Sequence, residues 1–196
     1  VIPSTVKVIS FKAFKGCLKL EELILPEGVE EIKEEAFNGC EDLEKVTIPS
    51  TVKIVGPGAF FNCKMLEELI LAEGVEAIDQ QAFSHCYNLI KATIPSSVKT
   101  VGLGAFRECH KLEELILPEG LEIVEYMIFE NCFNLKKVVI PSTVKVISFK
   151  AFKGCRMLTK VNLPKSLRII RQEAFSNCKA IYSITISDNL ERIDDK

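Results

Sequence analysis

The chain has no run of apolar residues approaching the ~20 that a membrane-spanning helix requires, and this excludes insertion through such a helix. Neither sign of charge is in excess. The 25 Lys and Arg against 27 Asp and Glu leave a net charge of -2 and a pI near 5.9. Nucleic acid and anionic lipid are therefore discounted as partners, since both call for a basic footprint. Histidine is scarce: His85 precedes Cys86 and His110 follows Cys109, and no serine, carboxylate or cysteine is placed to form a triad with either. Both read as ordinary surface substitutions. No second cysteine or histidine stands at metal-ligand spacing, and no cofactor is implied. Gly56-Pro57-Gly58 and Gly102-Leu103-Gly104 lack the Lys-Ser/Thr that ends a phosphate-binding loop and read as turn variants. The chain opens at Val1, without methionine or a signal-like apolar segment, so it reads as a processed product, an excised piece or a fragment.

What is present is a period. Phe14, Phe37, Phe60, Phe83, Phe106, Phe129, Phe152 and Phe175 recur every 23 residues, each followed three positions later by Cys17, Cys40, Cys63, Cys86, Cys109, Cys132, Cys155 or Cys178. A fixed period of this length marks a solenoid. Eight full copies (2–24, 25–47, 48–70, 71–93, 94–116, 117–139, 140–162, 163–185) and part of a ninth (186–196) make 1–196 one array, with no evident cap at either terminus. With 47% hydrophobic residues over 196 positions the array can bury a substantial core.

Each copy carries an L-x-x-L-x-L stretch, such as Leu20-Leu23-Leu25 or Leu66-Leu69-Leu71, whose final alternation suits a short strand with one buried face. A proline closes most of these strands, as Pro26, Pro49 and Pro95 do, because it removes a ladder donor. A short apolar segment follows, Val6-x-x-Ile9 or Val29-x-x-Ile32, read as a second buried edge and very short strand. Ala-Phe then sits in a stretch of helical composition, and Gly16, Gly39, Asn62, Asn131, Gly154 and Asn177 before the cysteines tolerate the left-handed conformation that ends a helical turn.

One cysteine per coil predicts a column of thiols ~4.8 Å apart. A disulfide needs Cβ atoms nearer ~3.8 Å, so the thiols are expected free and buried. The phenylalanine column reads as a core spine.

A second period of 46 is superposed. Odd copies read Ile-Pro-Ser-Thr/Ser-Val-Lys and even copies Leu-Pro/Ala-Glu-Gly-Val/Leu-Glu, and residues 2–17 are identical to 140–155. Such identity points to recent duplication or deliberate design. Stacking turns the alternation into charge ladders: Lys7, Glu30, Lys53, Glu76, Lys99, Glu122 and Lys145 in one row, and Glu22, Lys45, Glu68, Lys91, Glu114 and Lys137 in another. Exposed pairs of this kind are modest stabilisers that weaken in salt.

The unit A-F-x-x-C-x-x-L-x-x-L-x-L-P, seen from Ala13-Phe14 through Cys17, Leu20, Leu23 and Leu25 to Pro26, resembles the leucine-rich repeats of the BspA-like, or Treponema pallidum, class. The resemblance covers the whole chain. It implies an α/β leucine-rich-repeat solenoid of 23-residue coils, with a parallel sheet on the concave side and short helical or 3-10 turns on the convex side. It further implies a cell-surface or secreted protein acting in adhesion, binding a protein of a host, matrix or neighbouring cell. In this class the strand positions flanked by buried leucines face outward on the concave side. The candidate binding surface is therefore Glu22, Ile24, Lys45, Thr47, Glu68, Ile70, Lys91, Thr93, Glu114, Ile116, Lys137 and Val139. No catalytic or metal residue is assigned. Two alternatives stand beside the adhesin reading: a structural protein stacking end to end, and an engineered consensus scaffold.

Overall fold

The computed structural model describes residues 2–195; Val1, read with Ile2 as a strand remnant, and Lys196 lie outside the described residues. In chain order the strands are β1 (Val8–Ile9), β2 (Glu31–Ile32), β3 (Lys45–Ile48), β4 (Ile54–Val55), β5 (Glu68–Leu71), β6 (Ala77–Ile78), β7 (Lys91–Thr93) and β8 (Thr100–Val101). They continue as β9 (Glu114–Ile116), β10 (Ile123–Val124), β11 (Lys137–Val139), β12 (Val146–Ile147), β13 (Lys160–Asn162), β14 (Ile169–Ile170), β15 (Ser183–Thr185) and β16 (Arg192–Ile193). Every registered pair is parallel and joins residues 23 apart, as in Val46↔Leu69 and Ile9↔Ile32. The chain therefore turns once per repeat and lays each strand on its own counterpart.

Two sheets result. A wide sheet runs β3-β5-β7-β9-β11, with β13-β15 as a separate pair, and a narrow sheet of two-residue strands runs β1-β2-β4-β6-β8 and then β10-β12-β14-β16. The second apolar segment thus forms the short strand that its pattern predicts, with Ile9, Ile32 and Val55 buried.

Between the sheets lies one continuous core. The eight phenylalanines stack face to face, centroids 5.1–6.1 Å apart, and Phe37 through Phe152 are fully buried. Phe14 and Phe175, in the outer coils, are half-buried. The cysteine column lies beside the rings. All eight thiols are free, as expected, with Cys40 through Cys155 buried; Cys17 is exposed and Cys178 intermediate, each having a stacked cysteine on one side only among the described residues. Each inner Sγ donates to a phenylalanine carbonyl of the preceding coil, for example Cys86 Sγ to Phe60 O at 3.3 Å. A buried donor is thereby satisfied once per coil.

The helical turns expected beside Ala-Phe do not form: no helix of any kind occurs among the described residues. The reason lies in the direction of the amides. Ala13, Lys15 and Cys17 N–H donate within the coil to Ser10, Lys12 and Phe14, whereas Lys12, Phe14 and Gly16 N–H donate to Glu34, Ala36 and Asn38 of the next coil. A helix would turn every amide inward along its own axis. Here alternate residues hold the coils together, and the reversal requires left-handed backbone at two positions per coil. Gly16, Gly39, Asn62, Asn131, Gly154 and Asn177 do have positive φ, as their residue types predict, and His85 and Glu108 join them. A second set four residues earlier, including Lys12, Glu35, Gly58, Met127 and Lys150, is also left-handed. For a non-glycine residue this conformation costs about 1–2 kcal/mol, offset by the ladder it permits.

The 46-residue superperiod has a hydrogen-bond basis beyond charge. Gly74 N–H of an even coil donates to Ser97 Oγ of the following odd coil at 2.9 Å, and that hydroxyl donates back to Val75 O at 2.7 Å. Gly28 with Thr51 and Gly120 with Thr143 repeat the motif. Glu27, Glu73 and Glu119 accept from the hydroxyl and backbone of Ser50, Ser96 and Ser142. On its other side Gly74, with φ 117°, lies so near Ser50 that a Cβ would sit 2.3 Å from the Ser50 carbonyl oxygen. Glu-Gly and Ser-Thr turns are thus complementary halves of a two-coil unit.

Candidate interaction surfaces

Alternation along each strand turns Val46, Leu69, Leu115 and Val138 into the core and leaves their neighbours outside. The wide sheet consequently presents the predicted positions as two adjacent rows. Glu22 bridges to Lys45; Lys45 and Thr47 lie on β3, Glu68 and Ile70 on β5, Lys91 and Thr93 on β7, Glu114 and Ile116 on β9, Lys137 and Val139 on β11. All are exposed except Glu68 and Ile70, which are half-buried. Ile116 is the most open of the apolar members at 59%, with Ile24 at 44% and Val139 at 40%.

The charged row is partly self-neutralised. Lys45 pairs with Glu68 and Lys137 with Glu114, each at 2.5 Å. The Lys45 ammonium holds the Glu68 carboxyl below the usual carboxylate range. Lys91, in register with both Glu68 and Glu114, makes no ion pair among the described residues and stays available as a cation at the centre of the row. Near the first strands, Glu21, Glu22, Ile24, Glu44, Lys45 and Thr47 border a shallow cleft of ≈ 610 Å³. The second ladder, beside the narrow sheet, also forms, with Lys7–Glu30 at 3.3 Å, Lys99–Glu76 at 3.2 Å and Lys145–Glu122 at 2.7 Å.

The histidines correct the expectation of ordinary surface substitutions. Both are half-buried in an aromatic ridge on the turn side. His85 meets Phe61 at 4.9 Å and Tyr87 at 5.7 Å between centroids; His110 stacks on Tyr87 at 4.9 Å and on Phe133 at 4.4 Å, and Arg156 caps Phe133 at 4.3 Å. His110 Nε2 lies 2.8 Å from Glu108 Oε2, and Glu108 accepts from Asn131 Nδ2 at 2.7 Å. His85 Nδ1 lies 2.8 Å from Ser84 Oγ, which donates to Arg107 O at 3.2 Å. Burial holds His85 below the ordinary imidazole value. Burial pushes Glu108 up, but hydrogen bonds from Asn131 and His110 outweigh it and leave the carboxyl lowered. Tyr87, His110, Phe133 and Arg156 share one position of the period, directly after the cysteines, so a column-wise reading of the sequence carries the signal for this ridge. Unlike the sheet rows, the ridge does not repeat from one end of the array to the other.

Among the described residues no group of three or more potential metal ligands converges, and no helix is long and apolar enough to cross a membrane. No curated protein matches the chain. Solved structures do. A leucine-rich repeat protein from Eubacterium ventriosum ATCC 27560 is 25% identical, with a TM-score of 0.74 over 89% of this chain and 57% of its own. The T. pallidum leucine-rich repeat protein is 25% identical with a TM-score of 0.56, over 85% of this chain and 64% of its own. The pneumococcal vaccine antigen PcpA is 21% identical with a TM-score of 0.53, over 100% of this chain and 67% of its own, a likeness of fold. The chain thus spans under two thirds of the length of the first and second of these proteins. The family described as BspA type leucine rich repeat region matches residues 1–109 and 77–196, in six copies. Repeats of one spacing, stacked as a parallel solenoid and matched along their whole length, establish that the chain belongs to the BspA-type leucine-rich-repeat family.

Proposed function

We propose that this chain is a non-enzymatic protein-interaction module, as leucine-rich-repeat proteins generally are, contacting a protein partner through the outward rows of the wide sheet, as part of a cell-surface or secreted adhesin. One observation carries the reading: ten outward side chains on the adjacent parallel strands β3, β5, β7, β9 and β11, with Glu22 bridged to Lys45 and Ile24 exposed in the coil before them, set charged positions beside isoleucine, valine and threonine. Such a surface offers apolar area for affinity and alternating charge for register. Family membership supports the role in binding.

The test is to change Glu68, Ile70, Lys91 and Thr93 together, to Lys, Asp, Glu and Asp. Binding of wild type and variant to immobilised matrix proteins and host cells is then compared, with circular dichroism checking the fold. Saturable wild-type binding that falls at least ~tenfold in the variant is expected. Equal binding by the folded variant, or loss only when Tyr87 and Phe133 on the turn side are changed, overturns the reading.

A second reading, end-to-end self-assembly, is favoured by a specific complementarity. Asp188-Asn189-Leu190-Glu191 carries the chemistry of an even-copy turn, and Ser4-Thr5-Val6-Lys7 is an odd-copy turn, so the ninth coil of one molecule suits the first coil of another. Sedimentation across a wide concentration range decides it. Open-ended growth abolished by Glu191→Lys supports stacking, and a monomer throughout refutes it.

A further inference from the structure

Between the fifth and sixth coils the solenoid is parted along one side. The narrow sheet stops at β8 and restarts at β10, although both strands lie in their repeat positions. At the other steps amides such as Glu76, Lys145 and Ser148 donate to the preceding coil at 2.8–2.9 Å. No counterpart joins Glu122 to Lys99 or Glu125 to Val101 among the described residues. No ion pair of the charge ladder spans this step among the described residues, Lys99 pairing backward with Glu76 and Glu122 forward with Lys145, as none spans the intact step between Glu30 and Lys53. Gly120 has no atom within 4 Å of its Cβ position, whereas its counterpart Gly74 is pressed against Ser50. A cleft of ≈ 320 Å³ opens there, bordered by Thr100, Gly102, Leu121 and Ile123.

The cause is visible in the sequence of the core. The residue before each ring is alanine in seven coils and Ile128 in the sixth. Ile128 is buried. Its branched side chain occupies a column sized for a methyl group, and close-packed interiors transmit such an excess to the backbone. The Phe106–Phe129 separation is the widest of the ring column at 6.1 Å, and the Phe106 N to Ile128 O hydrogen bond is 3.1 Å against 2.7–2.9 Å at the alanine steps. The rest of the joint holds. Phe133 stacks on His110, Arg107 Nε lies 2.8 Å from Glu130 Oε2, and Glu114 and Lys137 remain paired across β9 and β11.

We propose that this seam is a hinge: coils one to five and six to nine are two arms that part on the narrow-sheet side, pivoting on the wide sheet, which stays paired from β9 to β11 although it is interrupted again between β11 and β13, and on the aromatic ridge. Opening alters the angle between β9 and β11 and so fits the curvature of the wide sheet to a partner. That consequence rests on the wide sheet being the contact face, whereas the exchange measurement below needs no partner, so the two fail separately.

Amide hydrogen exchange followed residue by residue by NMR tests the hinge. In the wild type Glu122 and Glu125 should exchange at least ~tenfold faster than Glu76, Asp79, Lys145 and Ser148, as expected of a local opening. Ile128→Ala should bring them to their neighbours' rates, and Ala82→Ile should carry the fast exchange to Ala77 and Asp79. Uniform rates in the wild type overturn the hinge. So does a folded Ile128→Ala protein that retains fast exchange at Glu122 and Glu125. Where that variant does not fold, Ala82→Ile with Asp79 still protected overturns it.

Discussion

Gly74 and Gly120 occupy the same position of the repeat and share positive φ, yet their surroundings differ. A methyl group on Gly74 meets the Ser50 carbonyl, whereas Gly120 faces open space beside the seam. Gly74→Ala should cost about 1–3 kcal/mol from combined strain and displacement of the neighbouring coil. Gly120→Ala should cost distinctly less, leaving only the conformational part; urea denaturation of both variants checks the contrast. The cysteines divide in the same way by neighbourhood. Burial pushes the Cys40 thiol up to about 11 and Cys86 to about 12, and Cys17 is exposed. A disulfide-exchange reagent at pH 8 should label Cys17 quickly in the native protein, Cys178 more slowly, and the six inner thiols only on unfolding, because the thiolate is the reacting form. Rapid labelling of more than two thiols would contradict the buried column.

At the scale of elements, the turn pair counts for more than either turn. Ser97 both accepts from Gly74 N–H and donates to Val75 O, so Ser97→Ala leaves a donor and an acceptor without partners. A loss of about 1–3 kcal/mol is expected. Combined with Glu73→Ala, whose carboxylate binds the same turn, the effects should be non-additive in a double-mutant cycle. The aromatic ridge should respond to pH. His85 is held below 6.5, so the folded state binds protons less readily than the unfolded chain. Its contribution is complete above the unfolded value and is lost as pH falls from about 6.5 through the folded value. Glu108 is lowered from 4.5, so its contribution is lost at still lower pH. Denaturation between pH 7.5 and 5 should show falling stability, with a shallower slope for His85→Asn, a residue that tolerates the same left-handed backbone. An unchanged slope would show that His85 is not the titrating group.

For the whole molecule, stability is a sum over coil interfaces, and the interfaces are unequal. The ladders run through nearly all of them but are exposed, so raising salt from about 0.1 to 1 M should lower the melting temperature only slightly, through screening. A large loss would give exposed charge the role assigned here to the ring column and backbone ladder. What the sequence determined by itself is everything that follows from the 23-residue period: parallel coils, two buried edges, the phenylalanine and cysteine columns, the charge rows and the outward strand positions. A strict period makes equivalent residues neighbours, so each column can be read without coordinates. The turn beside Ala-Phe was misread as helical because composition does not say whether an amide bonds along its own coil or to the next. That choice is decided by the presence of a stacked neighbour with free carbonyls. The aromatic column after the cysteines and Ile128 stand in the sequence, but the stacking of the ridge, the hydrogen bonding of the Glu-Gly and Ser-Thr turns and the opening of the seam belong to the tertiary structure. Each depends on how closely two particular coils approach, a distance set jointly by the bulk of the core side chains and by the hydrogen bonds that the separation allows.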